Sequence, residues 1–225
     1  MGGFADVWRG LDWSVLTTAL FSVIPILICL TIHELAHGMA ALALGDDTAK
    51  RMGRLTLNPI RHIDPIGFIM LLVARFGWAK PVPVDMSKFK RPKLGMAVTA
   101  LAGPMSNFLL AALILLFQVP IIRLMVGGDV GYYIGDMLRT TAIISVFLGV
   151  FNLLPIPPLD GSKIVFALLP DAQHNWLMRY ERYGFILLFA LVWLGLARGP
   201  VWDVMSAVYH WIAEVMHIPS VFLFT

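Results

Sequence analysis

Long apolar runs separated by short polar loops dominate the hydropathy pattern of this chain. Five runs stand out, at residues 14–44, 96–119, 140–154, 183–196 and 202–224. A helix rises about 1.5 Å per residue, so the first run would reach roughly 46 Å, more than the roughly 30 Å hydrocarbon core of a bilayer. The pattern therefore predicts membrane-spanning helices. The last run also contains charged residues, so it is either a span or a helix lying in the membrane interface.

A shorter apolar run, residues 66–76, lies between two basic loops and is too short to span comfortably. We therefore expect a re-entrant or interfacial element here. The fold class predicted is an all-α polytopic membrane protein with about four to six transmembrane helices and a re-entrant or short β-hairpin element near residues 53–85. Residues 1–225 are expected to form a single transmembrane domain.

The proline-valine alternation after this short run is typical of an edge strand. In residues 80–84, the N–H groups of Lys80, Val82 and Val84 can donate on one side, whereas the intervening prolines have none. Residues 54–57 alternate in polarity and could be the partner strand. An ordinary proline-stiffened surface loop is an equally good interpretation of the same pattern.

Composition narrows the class of protein. The chain has 225 residues, of which 59% are hydrophobic and only 14% charged, against about a quarter charged in soluble domains. This excludes a water-soluble globular enzyme, a disordered tail and a nucleic-acid binder. A single cysteine, Cys29, excludes an intrachain disulfide and a cysteine zinc knuckle.

The basic residues are unevenly distributed along the chain. Ten of the 17 lysines and arginines lie between residues 50 and 93. Cytoplasmic loops carry such an excess, so this side is predicted to be cytoplasmic. The first and third spans end on this side, and Asp160 follows the third.

The first apolar run contains the sequence His33-Glu34-Leu35-Ala36-His37. Residues four apart share a helix face, so the two imidazoles can bind one metal ion, and Glu34 is suited to act as a general base on metal-bound water. The structural alternative is a pair of histidines whose side chains hydrogen-bond to other parts of the protein and bind no metal. Ionisable groups inside an apolar run are costly, which favours the functional interpretation.

A catalytic zinc site needs a third protein ligand, and Asp160 is the best candidate. It follows a span and a proline-rich break, and it precedes Gly161. A carboxylate at membrane depth needs a partner, and a metal ion would be one. Spacing alone is equally consistent with Asp160 as the N-cap of a following helix.

Taken together, these motifs resemble the site-2 protease family of intramembrane zinc metalloproteases, in its short bacterial branch without a PDZ domain. The resemblance rests on His33-Glu34-x-x-His37 in an apolar helix and on Asn152-x-x-Pro155-x-x-x-x-Asp160-Gly161 after a later one. Residues 53–64, 76–84 and 102–107 add to it. It implies that His33, His37 and Asp160 bind Zn²⁺, that Glu34 activates the water, and that Asn152 holds substrate or the region around the metal.

The function implied is cleavage of membrane-spanning protein substrates in or near their transmembrane segments. The implied location is the bacterial inner membrane, with the active site toward the cytoplasm and residues 80–84 as a possible strand that binds substrate. The alternatives are a membrane metal-ion transporter and a membrane scaffold that does not cleave. A transporter should carry metal-binding groups on several spans, and often an internal repeat; the plausible ligands here lie on two segments.

Overall fold

We describe a computed structural model of the chain over residues 13–74, 77–125, 129–174 and 198–215, with scattered residues between 177 and 190. Seven helices are named here in chain order: α1 (Trp13–Ala43), α2 (Thr48–Arg51), α3 (Pro65–Ala74), α4 (Pro92–Met125), α5 (Asp129–Asn152), α6 (Asp160–Ala167) and α7 (Arg198–Val215). Two 3₁₀ turns, Pro59–His62 and Met86–Lys88, interrupt the loops. The predicted all-α architecture is confirmed over these residues.

Three of the described helices are long and apolar enough to cross a membrane. The candidate spans are Val23–Ala43 in α1, Pro92–Phe117 in α4 and Tyr133–Asn152 in α5. These correspond to the first three long apolar runs of the sequence. Helix α4 packs against both α1 and α5, so it occupies the centre of this helical layer.

The apolar core lies where α4, α5 and α7 meet. Its fully buried members include Leu115 of α4, Val146 of α5, and Met205 and Tyr209 of α7. Helix α7 has the amphipathic character expected of the last apolar run, because Trp211 and Glu214 on its other side are exposed. The predicted run 183–196 lies largely outside the described residues, as does the end of the last run beyond residue 215.

The short apolar run forms helix α3, whose ten residues reach only about 15 Å. It is therefore too short to cross the bilayer, as expected. A single antiparallel bridge joins Ile63 to Ala79 across this helix, with the Lys80 N–H donating to the His62 carbonyl at 2.8 Å. The described residues contain no longer β-ladder, and residues 54–57 do not pair with 80–84 through their backbones.

The chain turns back toward the bundle after α5, and this turn positions α6. A Cβ at Gly161 would lie 2.1 Å from the Leu153 carbonyl oxygen, so only glycine allows the start of α6 to approach the end of α5 this closely. Helix α6 then packs on α4. As a result, the first residue of α6 is brought next to α1 and α4.

Candidate metal centre

The histidine motif lies on α1, within the candidate span Val23–Ala43. His33, Glu34 and His37 are all buried, with 4%, 9% and 8% of their surface exposed. The four-residue spacing places the imidazoles on one helix face, as predicted, and their Nε2 atoms lie 3.0 Å apart. Two nitrogen ligand atoms therefore converge inside an apolar helix.

Asp160 completes this group from the opposite side. It is the first residue of α6, and its Oδ2 atom lies 3.1 Å from the Nε2 atoms of both His33 and His37. The N-cap of α6 is Leu159, and no side chain caps the helix. The N-cap alternative for Asp160 was therefore wrong, because its carboxylate is directed at the two imidazoles instead.

Hydrogen bonds to the Nδ1 atoms determine which ring nitrogen of each imidazole carries the proton. The Nδ1 atom of His37 lies 2.7 Å from the Thr99 carbonyl oxygen, which can only accept, so this Nδ1 carries the proton. The Nδ1 atom of His33 lies 3.1 Å from Oδ1 of Asn107. In the neutral imidazoles both Nε2 atoms are then left with lone pairs.

The three ligand atoms fit a metal ion. Two Nε2 lone pairs and a carboxylate oxygen at 3.0–3.1 Å repel one another unless a cation lies among them. Tetrahedral zinc with bonds of 2.0–2.2 Å separates its ligands by roughly 3.3 Å, so a small outward movement would suffice. His33, His37 and Asp160 could therefore hold a metal ion.

The metal-binding group opens onto a cavity of about 250 Å³. Asn152 lines this cavity, but its side-chain amide donates to the Leu148 carbonyl of its own helix, at 2.9 Å. Lys163 also lines it, and its Nζ atom lies 3.5 Å from Oδ1 of Asp160. A cation thus faces the carboxylate oxygen that is directed away from the histidines.

Residues 80–84 have no regular secondary structure and pass directly over Glu34. The Val82 N–H donates to Oε2 of Glu34 at 2.7 Å, and Val82 and Val84 both line the cavity. The Val82 N–H, which the sequence pattern predicted to bind substrate, therefore donates to Glu34 in this structure. Lys80 also directs its N–H into the protein, toward the His62 carbonyl. Binding of a substrate strand along this segment stays a prediction.

His62 and Cys29 lie outside the metal-binding group. His62 is buried, and its Nε2 atom lies 2.9 Å from the Thr56 carbonyl, so it has a structural role in the loop. Cys29 is fully buried between α1 and α5, where its thiol contacts the Thr141 carbonyl at 3.5 Å. Cys29 is therefore a small packing residue between these two helices.

The contact of one face of α4 with the two histidines was not predicted from the sequence. Thr99, Gly103 and Asn107 are buried at four-residue intervals, and each contacts or closely approaches one of the two histidines. The signal was present in the sequence as small or polar residues recurring at i, i+4 and i+8 within an apolar helix. It could not be tied to the histidines without knowing that α4 packs on α1.

Comparison with known proteins identifies the family to which this chain is similar. The profile of peptidase family M50 matches residues 120–195, which include Asp160. The chain is 39% identical over 191 residues to "Putative zinc metalloprotease YwhC" of Bacillus subtilis (strain 168), covering 83% of this chain and 86% of that protein. No solved structure matches the chain significantly.

More distant relatives are longer than the matched region. "Putative zinc metalloprotease Rip2" of Mycolicibacterium smegmatis is 30% identical over 174 residues, which cover 74% of this chain and 64% of that protein. "Zinc metalloprotease MJ0392" of Methanocaldococcus jannaschii is 26% identical, over 74% of this chain and 38% of that protein. The extent of the match to the Bacillus protein, together with the profile, shows that this chain belongs to peptidase family M50, the site-2 protease family.

Proposed function

We propose that this chain is an intramembrane zinc endopeptidase, which hydrolyses peptide bonds in or near the transmembrane segments of membrane proteins. One observation carries the proposal: His33, His37 and Asp160 converge beside Glu34 on a single cavity, and both histidines lie within a candidate span. Ionisable groups in such a position are rarely structural.

Family membership and the names of the relatives support a zinc metalloprotease. His33, His37 and Asp160 would hold the zinc ion through two nitrogens and one carboxylate oxygen, which leaves a position for water or substrate. Zinc at such a site lowers the pKa of bound water and polarises a carbonyl group. Membership of a peptidase family weighs against the alternative of a metal-ion transporter.

The residues of this chain supply the proton transfer. Glu34 is the base that takes a proton from the attacking water and returns it to the leaving amine. The Val82 N–H binds one oxygen of this carboxylate and so restricts its rotation. Lys163, beside Asp160, adds positive charge to the cavity where negative charge develops on the substrate carbonyl.

The substrate must lose its helical hydrogen bonds before it can be cut, because they protect the amides of a transmembrane helix. Residues 81, 82 and 84 line the cavity, and the segment 80–84 could hold the unwound substrate as an added strand. Since Val82 already donates to Glu34, a substrate either displaces that contact or binds through the proline carbonyls.

Placement in the membrane follows from the same elements. We propose four to six spans, which include α1, α4 and α5 and draw on segments near residues 183–196 and 202–224, and a re-entrant position for α3. The excess of lysine and arginine in the loops supports an active site toward the cytoplasmic side of a bacterial inner membrane. Asn152 lines the cavity and is proposed to contact the substrate there.

Substitution of Glu34 by Gln tests the proposed chemistry. The amide keeps the size of the side chain but cannot accept the water proton. The rate of cleavage of a single-span substrate should therefore fall by about 10²–10⁴-fold. Zinc content should stay at the wild-type level, because Glu34 is not a ligand. Both are measured on purified protein in detergent.

The matched control is Glu214→Gln, which makes the same change at an exposed position on α7. It should cleave at the wild-type rate. Full activity of the Glu34→Gln variant would remove Glu34 from the mechanism. Full activity of a zinc-free wild-type protein would disprove the zinc mechanism altogether.

A further inference from the structure

Asn107 is a polar side chain in an unfavourable place. It lies on α4 within the candidate span Pro92–Phe117, and none of its surface is exposed. Burying a side-chain amide in an apolar region is costly unless its polar atoms are hydrogen-bonded. A side-chain amide buried at this cost in free energy is expected to have a specific hydrogen-bond partner.

The partner of Asn107 is His33. Oδ1 of Asn107 lies 3.1 Å from Nδ1 of His33, across 74 residues of sequence. The other end of the amide, Nδ2, has no hydrogen-bond partner in the described structure. An asparagine that served only to join helices would be expected to use both ends, whereas this one is satisfied only on the side of the histidine.

Neighbouring contacts hold Asn107 in this position. Its backbone carbonyl accepts a hydrogen bond from the Ser145 hydroxyl at 2.8 Å, which ties this turn of α4 to α5. Gly103, one turn earlier, lets α4 come close to the imidazoles. The amide is therefore carried on a fixed backbone and directed at one ring nitrogen.

The consequence concerns which nitrogen of His33 carries the proton. If Oδ1 accepts the Nδ1 proton, then Nε2 keeps its lone pair and faces Asp160 and His37. Hydrogen bonds to the ring nitrogen that does not bind the metal orient metal-binding histidines and raise their affinity for the metal ion. His37 receives the same support from the Thr99 carbonyl, a backbone group that cannot be removed by substitution.

We propose that Asn107 is a positioning residue for the metal centre, which holds His33 as the tautomer whose Nε2 atom binds zinc. The proposal rests on the metal-binding part of the proposed function, but it makes a separate claim. It assigns a role to a residue that does not touch the metal or the substrate.

The test is the affinity for Zn²⁺, measured by competition with a chromophoric chelator on purified protein in detergent. Asn107→Leu removes the acceptor at similar volume and should weaken zinc binding by about 10–100-fold. Asn107→Asp keeps an oxygen acceptor and should restore affinity close to the wild-type value. A side chain that only filled space would show the reverse order, because Leu fills the apolar site at least as well as Asp.

Thr141→Val is the matched control, since it removes a buried polar group at similar volume, and the Thr141 hydroxyl donates only to the Met137 carbonyl of its own helix. It should bind zinc as the wild type does. If Asn107→Leu does not fold, Asn107→Ala is judged by the same criterion, with folding checked by thermal unfolding. Wild-type affinity in the folded Leu or Ala variant, or failure of Asp to restore it, overturns the proposal. Absence of zinc binding in the wild type would instead count against the proposed function.

Discussion

Gly103 sets the distance between α4 and the two histidines. A Cβ built at this position would lie 2.4 Å from Nε2 of His37 and 2.7 Å from Cε1 of His33. Contacts this short do not occur between real atoms, so any larger residue would displace the imidazoles. The absence of a side chain at one position is thus a condition for the geometry of the metal-binding group.

Substitution of Gly103 by Ala should therefore damage the site more than the helix. Alanine is the better helix former by about 1 kcal/mol, so α4 itself gains stability. We expect zinc affinity to fall by at least about tenfold, because a ligand is displaced, with a parallel loss of cleavage. Zinc competition and a substrate assay measure the two effects.

The control for this change is Gly199→Ala on α7, where a Cβ would meet nothing within 4 Å. It should leave zinc binding and cleavage unchanged. Equal zinc affinity in the Gly103→Ala variant and the wild type would show that the imidazoles have room to move without losing the metal.

At the scale of elements, the segment over the candidate metal centre is held by a buried carboxylate. Asp46, just after α1, is fully buried and accepts hydrogen bonds from the N–H groups of Thr48 and Asp85, at 2.9 and 2.7 Å. Lys88 adds an ion pair to Asp46 at 3.4 Å. This carboxylate thus ties the end of α1 to the residues that follow Val82.

The same contacts predict a pH dependence of stability. Burial raises the pKa of Asp46, but hydrogen bonds from the Thr48 hydroxyl, from backbone N–H groups and from Lys88 outweigh it, so the pKa lies below its ordinary value of about 3.9. A depressed pKa stabilises the folded state above about pH 4, and this stabilisation is lost as the pH falls through the folded-state pKa.

Asp46→Asn should lower the free energy of unfolding by about 1–3 kcal/mol at pH 7, because buried donors lose a charged acceptor. The difference from wild type should shrink as the pH falls below about 4, as measured by denaturant unfolding in detergent. Asp203→Asn, at an exposed carboxylate on α7, should stay within about 0.5 kcal/mol of wild type. A difference for Asp46→Asn that does not change with pH would contradict this assignment.

At the scale of the whole molecule, the three candidate spans place the site residues on one side. Helix α1 ends, α4 begins and α5 ends on this side, so the loops at residues 44–91 and 153–159 share it. The first of these loops carries most of the basic residues between 50 and 93. The basic loop and the candidate metal-binding group therefore lie toward the same end of these three helices, which supports the orientation proposed above.

Labelling of single cysteines tests this orientation in intact bacterial cells. A membrane-impermeant maleimide should label Tyr133→Cys, at the start of the third span on the far side. It should label Arg51→Cys, whose native side chain is 74% exposed, only after lysis. The unsubstituted chain is the control, because its one cysteine, Cys29, is fully buried. The opposite labelling pattern would place the active site on the outer side.

Much of this molecule could be predicted from local patterns. The three candidate spans follow from runs of apolar residues, and the pairing of His33 with His37 follows from the helical repeat. The role of residues 80–84 could not be resolved in the same way. Their pattern favoured an edge strand and a surface loop equally, and the contact of Val82 with Glu34 joins residues 48 positions apart.

The sequence by itself therefore determined the apolar, helical class, the first three candidate spans and, through the helical repeat, the pairing of His33 with His37. These depend on composition and on spacing within single helices. Only the tertiary structure decided that Asp160 meets the histidines instead of capping α6, that Asn107 and Thr99 hold their outer nitrogens, and that Gly103 makes room for them. These contacts join segments 62–127 residues apart, and they are set by how closely α1, α4 and α6 pack, which no local pattern encodes.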